Sequence, residues 1–212
     1  MNRPRGTVLL ILLAFAVAGS WTEATADTGW EAGLGVGYLA PRSNELSSLY
    51  DGGPSFHLML ARRFARPAGS IGLEIGYFQS SAELTPPFFV SRAEAELLWM
   101  PIDLIARLEL ARSSRLVPIL GLGLQILYAR ERFEYRLGEE TRSQDPKERW
   151  DPGFLLVAGI DRPLPPRLRL EGFMSLVAAE RRLSVGSEDR AVTGDDGFDA
   201  GAFGLRLAWR FP

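Results

Sequence analysis

Apolar and polar positions alternate along most of this chain with a period of two, most clearly in its last stretch, GFDAGAFGLRLAWRF at 197–211. There Asp199, Gly201, Phe203, Leu205, Leu207, Trp209 and Phe211 fall on one side, and Ala200, Ala202, Gly204, Arg206, Ala208 and Arg210 on the other. A period of two marks an extended strand with unlike faces. One face is large and apolar with aromatics at its end, while the other mixes very small residues with arginine. A soluble sandwich strand opposes its apolar face with a continuous polar surface. A transmembrane barrel strand turns its apolar face to lipid and packs small and charged residues into a narrow lumen. The pattern predicts the second arrangement.

Seven further segments repeat it. In 30–39, Trp30, Ala32, Leu34, Val36 and Tyr38 oppose Glu31, Gly33, Gly35 and Gly37. The eight residues from Trp30 to Tyr38, at ~3.3 Å each and tilted by about 40°, cover roughly 20 Å of membrane normal. The two rings therefore suit opposite aromatic girdles. Segments 55–64 and 70–82 place His57 and Arg63, then Glu74, inward, and Tyr77 outward. The fourth strand lies within 89–110. With Leu98, Met100, Ile102, Leu104, Ala106 and Leu108 outward, Trp99, Pro101, Asp103, Ile105 and Arg107 face in, and a bulge is expected at Pro101, which lacks an amide hydrogen. A helix competes there on propensity from Ala93 to Met100. Segment 116–132 sets Leu120, Leu122, Leu124, Ile126 and Tyr128 against Gly121, Gly123 and Gln125. Segments 152–161 and 167–181 complete the set of eight, with Asp161, Arg169 and Glu171 inward.

Between the strands, long connections (40–54, the Thr85-Pro86-Pro87 break, 136–151 and 184–197) alternate with short turns at 66–69, 111–115 and 162–166. Outer-membrane barrels keep short turns in the periplasm and long loops outside. An even strand count brings both chain ends to the periplasmic side. The most polar segment, 136–151, is expected to be a mobile loop.

The N-terminus changes the boundaries. Arg3 and Arg5, the short apolar run 8–18 and the small-x-small site Ala24-Thr25-Ala26 have the layout of a secretory signal peptide. The apolar run is shorter than the roughly 20 residues of a spanning helix. Residues 1–26 are therefore expected to be cleaved, leaving 27–212 as one barrel domain. No cysteine occurs, so disulfides, thiol chemistry and a lipid-modified cysteine are excluded. The chain has 24 basic and 26 acidic residues, net −2, which argues against a nucleic-acid partner.

The candidate chemistry lies on the inward face: Glu31, His57, Arg63, Glu74, Asp103, Arg107, Gln125, Asp161, Arg169, Glu171, Arg206 and Arg210. Charges withdrawn from water need partners, so acid–arginine pairs are expected to fill a lumen just wide enough for side chains. A wet path past those pairs would instead make a narrow channel. His57 is the single histidine, and with Ser55 and Glu74 nearby a hydrolase triad is conceivable. An inward histidine more often serves as a hydrogen-bond partner, and no catalytic residue, cofactor or metal ligand is assigned. The glycines at 33, 35 and 37 and at 121 and 123 sit inside strands, unlike phosphate-binding loops, which lead into a helix.

The stretches WEAGLGVGY at 30–38, VPILGLGL at 117–124 and LRLAWRF at 205–211 resemble the small outer-membrane β-barrel proteins of Gram-negative bacteria, the OmpA/OmpX-like superfamily in the broad sense. The resemblance implies an eight-stranded antiparallel up-and-down transmembrane barrel in the outer membrane. It implies contact with membrane lipid and lipopolysaccharide, and Trp209 and Phe211 as a C-terminal signal for the barrel assembly machinery. Pro212, after the terminal aromatic, departs from the usual signal. Trp30, Tyr38, Tyr77 and Tyr128 would be interfacial aromatics. The expected role is non-enzymatic, structural or surface-interacting. The alternatives are a narrow channel, a lipid-modifying enzyme, and a soluble lipocalin-like barrel with its apolar faces turned inward.

Overall fold

A strand with one apolar face and two unpaired edges has no stable resting place in lipid until every edge is paired. The computed structural model shows how this chain meets that demand. It describes residues 29–42, 47, 50–65, 67–84, 92–111, 115–137, 140–164, 167–179, 181–185, 188–192 and 200–211. The expected signal peptide and the second long loop, at 85–91, lie outside them. The strands are β1 (Trp30–Pro41), β2 (Gly53–Phe64), β3 (Gly69–Leu84), β4 (Arg92–Glu109), β5 (Val117–Leu137), β6 (Glu140–Ser143), β7 (Lys147–Leu164), β8 (Leu168–Ala179), β9 (Arg181–Val185), β10 (Glu188–Val192) and β11 (Ala200–Phe211).

Eight of them form the barrel, each antiparallel to the next in the order β1-β2-β3-β4-β5-β7-β8-β11, and β11 pairs back to β1. The stagger can be read from the register. The pairing path from Trp30 runs through Arg62, Ile71, Ala106, Leu122, Leu156, Leu176 and Gly201, and returns to β1 at Ala40, ten residues beyond its start. With about 3.3 Å per residue and about 4.8 Å between strands, that stagger tilts the strands by roughly 40°.

The sign of the alternation is settled. Leu34, Val36, Phe56, Leu58, Leu73, Leu122, Met174, Phe203 and Leu205 are exposed on the outside, Leu34 at 69%. Their strand neighbours of opposite parity are buried or half-buried inside. The lipocalin-like reading, which needs these faces inward, does not describe this molecule. Among the described residues no helix is long and apolar enough to cross a membrane; the crossing elements are strands.

Three local expectations change. Most of the described part of 136–151, expected as a loop, is strand: β5 runs to Leu137, β6 folds back on it, and β7 begins at Lys147. The polarity of that stretch belongs to the part of a strand that rises beyond lipid, where water wets both faces. Within 184–197, part of the expected loop is a β9–β10 hairpin. At Pro101 the β3–β4 ladder is interrupted opposite Gly76 and Tyr77, yet Ile75↔Ile102 and Phe78↔Trp99 share one register, so no residue is inserted. Gly76 makes this possible, because a Cβ there would stand 2.6 Å from Cγ of Pro101.

Gly76→Val is therefore expected to overpack the lumen and destabilise the folded barrel by about 1–3 kcal/mol. Urea unfolding in detergent micelles checks this, and an unchanged midpoint would contradict the fit.

Candidate functional site in the barrel lumen

The ten-residue stagger decides which inward residues share a level, and the levels differ in chemistry. At the periplasmic end Glu31 on β1, Arg63 on β2, Glu109 on β4, Asp161 on β7 and Arg169 on β8 form one layer. Arg63 donates to Oε2 of Glu31 at 3.0 Å and pairs with Glu109. Arg169 donates to the same Glu31 oxygen at 3.2 Å, reaches Oε1 of Glu109 at 3.2 Å and pairs with Asp161. Two guanidinium groups thus bind three carboxylates. Arg210, expected in the lumen, is only half-buried at the rim, because β11 ends one residue later and leaves it in reach of water. Glu109 escaped the sequence reading, although it shares the parity of Arg107 and closes the same strand.

The next layer centres on Arg206, which is 1% exposed. It donates to both carboxylate oxygens of Glu171 at 3.1 Å and to Oε1 of Glu74 at 2.5 Å. Its guanidinium carbon lies 4.7 Å from the centre of the Phe173 ring. Arg107 binds the other Glu74 oxygen at 2.8 Å and approaches Sδ of Met59 at 2.6 Å. Room for these long chains comes from small residues on β1. A Cβ on Gly33 would stand 3.1 Å from Cδ of Arg206 and 3.2 Å from Cε of Met59.

Above this, Nδ1 of His57 lies 2.9 Å from Oε1 of Glu74, and Nε2 lies 3.0 Å from Oγ of Ser55. The imidazole also meets the Phe173 ring edge-on at 5.1 Å. Gln125 donates to Oδ1 of Asp103 at 2.9 Å. Ser55, His57 and Glu74 have the connectivity of a hydrolytic triad, but their surroundings oppose that chemistry. An acyl carbon must come within about 3 Å of the serine oxygen. Ser55 is 2% exposed, and its direct cross-strand partner Phe78 is fully buried. Glu74 is also shared with two arginines. The arrangement ties β2 to β3 and β11 across the lumen.

The outer end of the lumen is apolar, where the inward charges of the sequence predicted a polar filling throughout. Leu39, Phe78, Trp99, Leu127, Leu155, Val177, Ala200 and Ala202 are all buried there in one cluster, with Phe78 and Trp99 ring centres 5.8 Å apart. Beyond this seal, on the extension of β5 and β7, Arg149 donates to Asp151 at 3.1 Å and to Glu131 at 2.8 Å. Tyr50 is buried beside them, and burial first, then the Glu131 carboxylate, push its phenol above the ordinary tyrosine range, with Arg149 opposing. A small cavity of about 10 Å³ at the periplasmic end is lined by Glu31, Ser70, Arg107, Glu109, Arg169 and Glu171 among others, which is room for about one water. Among the described residues no cluster of histidine and carboxylate side chains could hold a metal ion.

On the outside, Trp30, Tyr38 and Tyr77 are exposed, as are Trp209 and Phe211, while Tyr128 is half-buried. Tyr38 packs on Phe203 at 5.8 Å and Tyr128 on Trp150 at 5.1 Å between ring centres. Trp30 stands opposite Phe211 in the β1–β11 ladder.

Removing one partner from a buried charge cluster strands the rest. Glu74→Gln is expected to cost about 3–5 kcal/mol by leaving Arg107 and Arg206 short of negative charge, read as a lowered urea midpoint. A loss below about 1 kcal/mol would show that water reaches the cluster. Because the folded state holds the Tyr50 proton more tightly than the unfolded chain, its contribution is complete below the ordinary tyrosine pKa near 10 and declines above it. Tyr50→Phe should flatten the fall in stability above about pH 10, measured by alkaline unfolding of both proteins.

No family model matches the chain, and no curated protein is significantly similar in sequence. Solved structures are similar in fold. A major outer membrane protein from Thermus thermophilus is 13% identical, with 88% of this chain and 100% of that chain covered and a TM-score of 0.57. The outer membrane protein OprG from Pseudomonas aeruginosa is 12% identical, with 89% and 98% covered and a TM-score of 0.55. At that identity the likeness concerns the fold. The closed register, the apolar exterior and these two likenesses agree: the chain has the fold of the small eight-stranded outer-membrane β-barrels.

Proposed function

We propose that this protein is a non-enzymatic outer-membrane barrel of a Gram-negative bacterium, with a structural or surface-interaction role. The observation that carries this reading is a lumen blocked at two successive levels. Arginine–carboxylate clusters fill the periplasmic part, and an apolar layer around Phe78, Trp99 and Leu127 closes the outer part. Side chains filling both levels support a lumen closed to ions and a Ser55 out of reach of substrate. What remains available for contact is the extension of β3, β4, β5 and β7 beyond the apolar belt. Expected partners are membrane lipid and lipopolysaccharide around the barrel. During biogenesis the assembly machinery would read Trp209 and Phe211.

The test is reconstitution into planar bilayers after a gel band that shifts on heating has shown the barrel to be folded. Background-level current is expected from folded protein. Steady single-channel steps would overturn the plugged reading and establish the narrow channel. For the enzymatic alternative, lipid A from cells carrying His57→Ala is expected to match that from cells with the unaltered protein, by mass spectrometry.

A further inference from the structure

Among the described residues, the outward surface at the periplasmic end carries charge of one sign. Arg62, Arg115, Arg162 and Arg167 are exposed there, and none of their guanidinium groups has an ion-pair partner among the described residues. The acidic side chains described at that end, Glu31, Glu109 and Asp161, all point inward and are bound by Arg63 and Arg169. The other end differs: Arg132 meets Glu134 at 2.7 Å and Arg130 faces Glu148 at 3.9 Å.

The register fixes the height of the unpaired arginines. Arg62 is the cross-strand partner of Trp30, which stands opposite Phe211, and Arg162 is the partner of Leu170 on the lipid-facing side. They therefore lie at the aromatic belt, where lipid headgroups begin. Arg115 precedes β5, Arg162 lies near the end of β7 and Arg167 precedes β8, so three of the four gather on neighbouring strands. A guanidinium with no carboxylate beside it offers a planar fork that matches a phosphate.

We infer that this periplasmic arginine crown binds the phosphates of anionic phospholipids in the inner leaflet of the outer membrane, with its main site at Arg115, Arg162 and Arg167. The inference rests on the reading of the chain as a membrane-inserted barrel. The bound headgroups would hold the periplasmic rim at a fixed depth, since the apolar band above it carries no charge that could fix one.

The test uses the whole chain folded into nanodiscs of phosphatidylcholine with a minor share of phosphatidylglycerol, and quantifies the lipid that stays with the protein on extraction. Retained phosphatidylglycerol is expected to exceed its bulk share by at least about fivefold, and to fall as salt is raised. R115Q/R162Q/R167Q is expected to return it to the bulk share, while R130Q/R132Q at the outer end leaves the enrichment intact. R162Q alone, with partial loss expected, serves where the triple variant does not fold. No enrichment in the unaltered protein, full enrichment in the arginine variants, or equal loss in R130Q/R132Q would overturn the inference. The heat-dependent gel shift of the same samples reports insertion separately, so failure of the barrel reading is distinguishable from failure of the lipid site.

Discussion

A peptide group inside a bilayer has no water to bond, so each strand of this protein must find all its partners in neighbouring strands. Everything else in the structure depends on that constraint. It requires β11 to pair back to β1, and with eight strands and a ten-residue stagger it leaves an interior that side chains alone can fill. The small residues along β1 follow from the narrowness: Gly33 faces Arg206 and Met59 at distances that leave little room for a methyl group.

That narrow interior is filled in an ordered way. Charges occupy the periplasmic part, and the carboxylates of Glu31, Glu74, Glu109, Asp161 and Glu171 are each bound by arginine from another strand. Such clusters are costly to desolvate and costly to break, so they fix which strands may be neighbours as much as they stabilise the barrel. Arg206 shows this, joining β3, β8 and β11 through Glu74 and Glu171. The apolar layer beyond needs no such matching and excludes water from the charges below it. The Ser55–His57–Glu74 chain of hydrogen bonds belongs to the same cross-bracing. Its likeness to a hydrolytic triad reflects the few ways a serine, a histidine and a carboxylate can satisfy one another when buried.

The exterior follows a simpler rule, because lipid asks only for apolar area and the headgroup region for amphipathic side chains. Trp30, Trp209 and Phe211 mark one boundary, and Tyr38, Tyr128 and Trp150 the other. The difference in charge between the two ends lies outside the apolar band, and so is set independently of the lumen. Inward Arg63 and outward Arg62 are consecutive residues with opposite fates: one is bound by Glu31 and Glu109, the other has no ion-pair partner among the described residues.

By itself the sequence determined the eight barrel strands and which residues share a face, because a period of two is a local property that survives without tertiary information; which face meets lipid was decided by the closed sheet. The sequence also showed that acids and arginines would share one face, since parity is local too. What it did not determine is which of them meet. Glu31 and Arg169 are far apart in the chain and touch only because the stagger brings β1 and β8 to one level. The apolar seal was hidden for the same reason: Leu39, Trp99 and Val177 lie at different distances from their strand ends, and only the shear aligns them. Nor did local polarity separate a loop from a strand that has left the lipid, as the extension of β5 and β7 shows. Alternation is written residue by residue, whereas shear is a property of the closed sheet, and it was shear that decided the site.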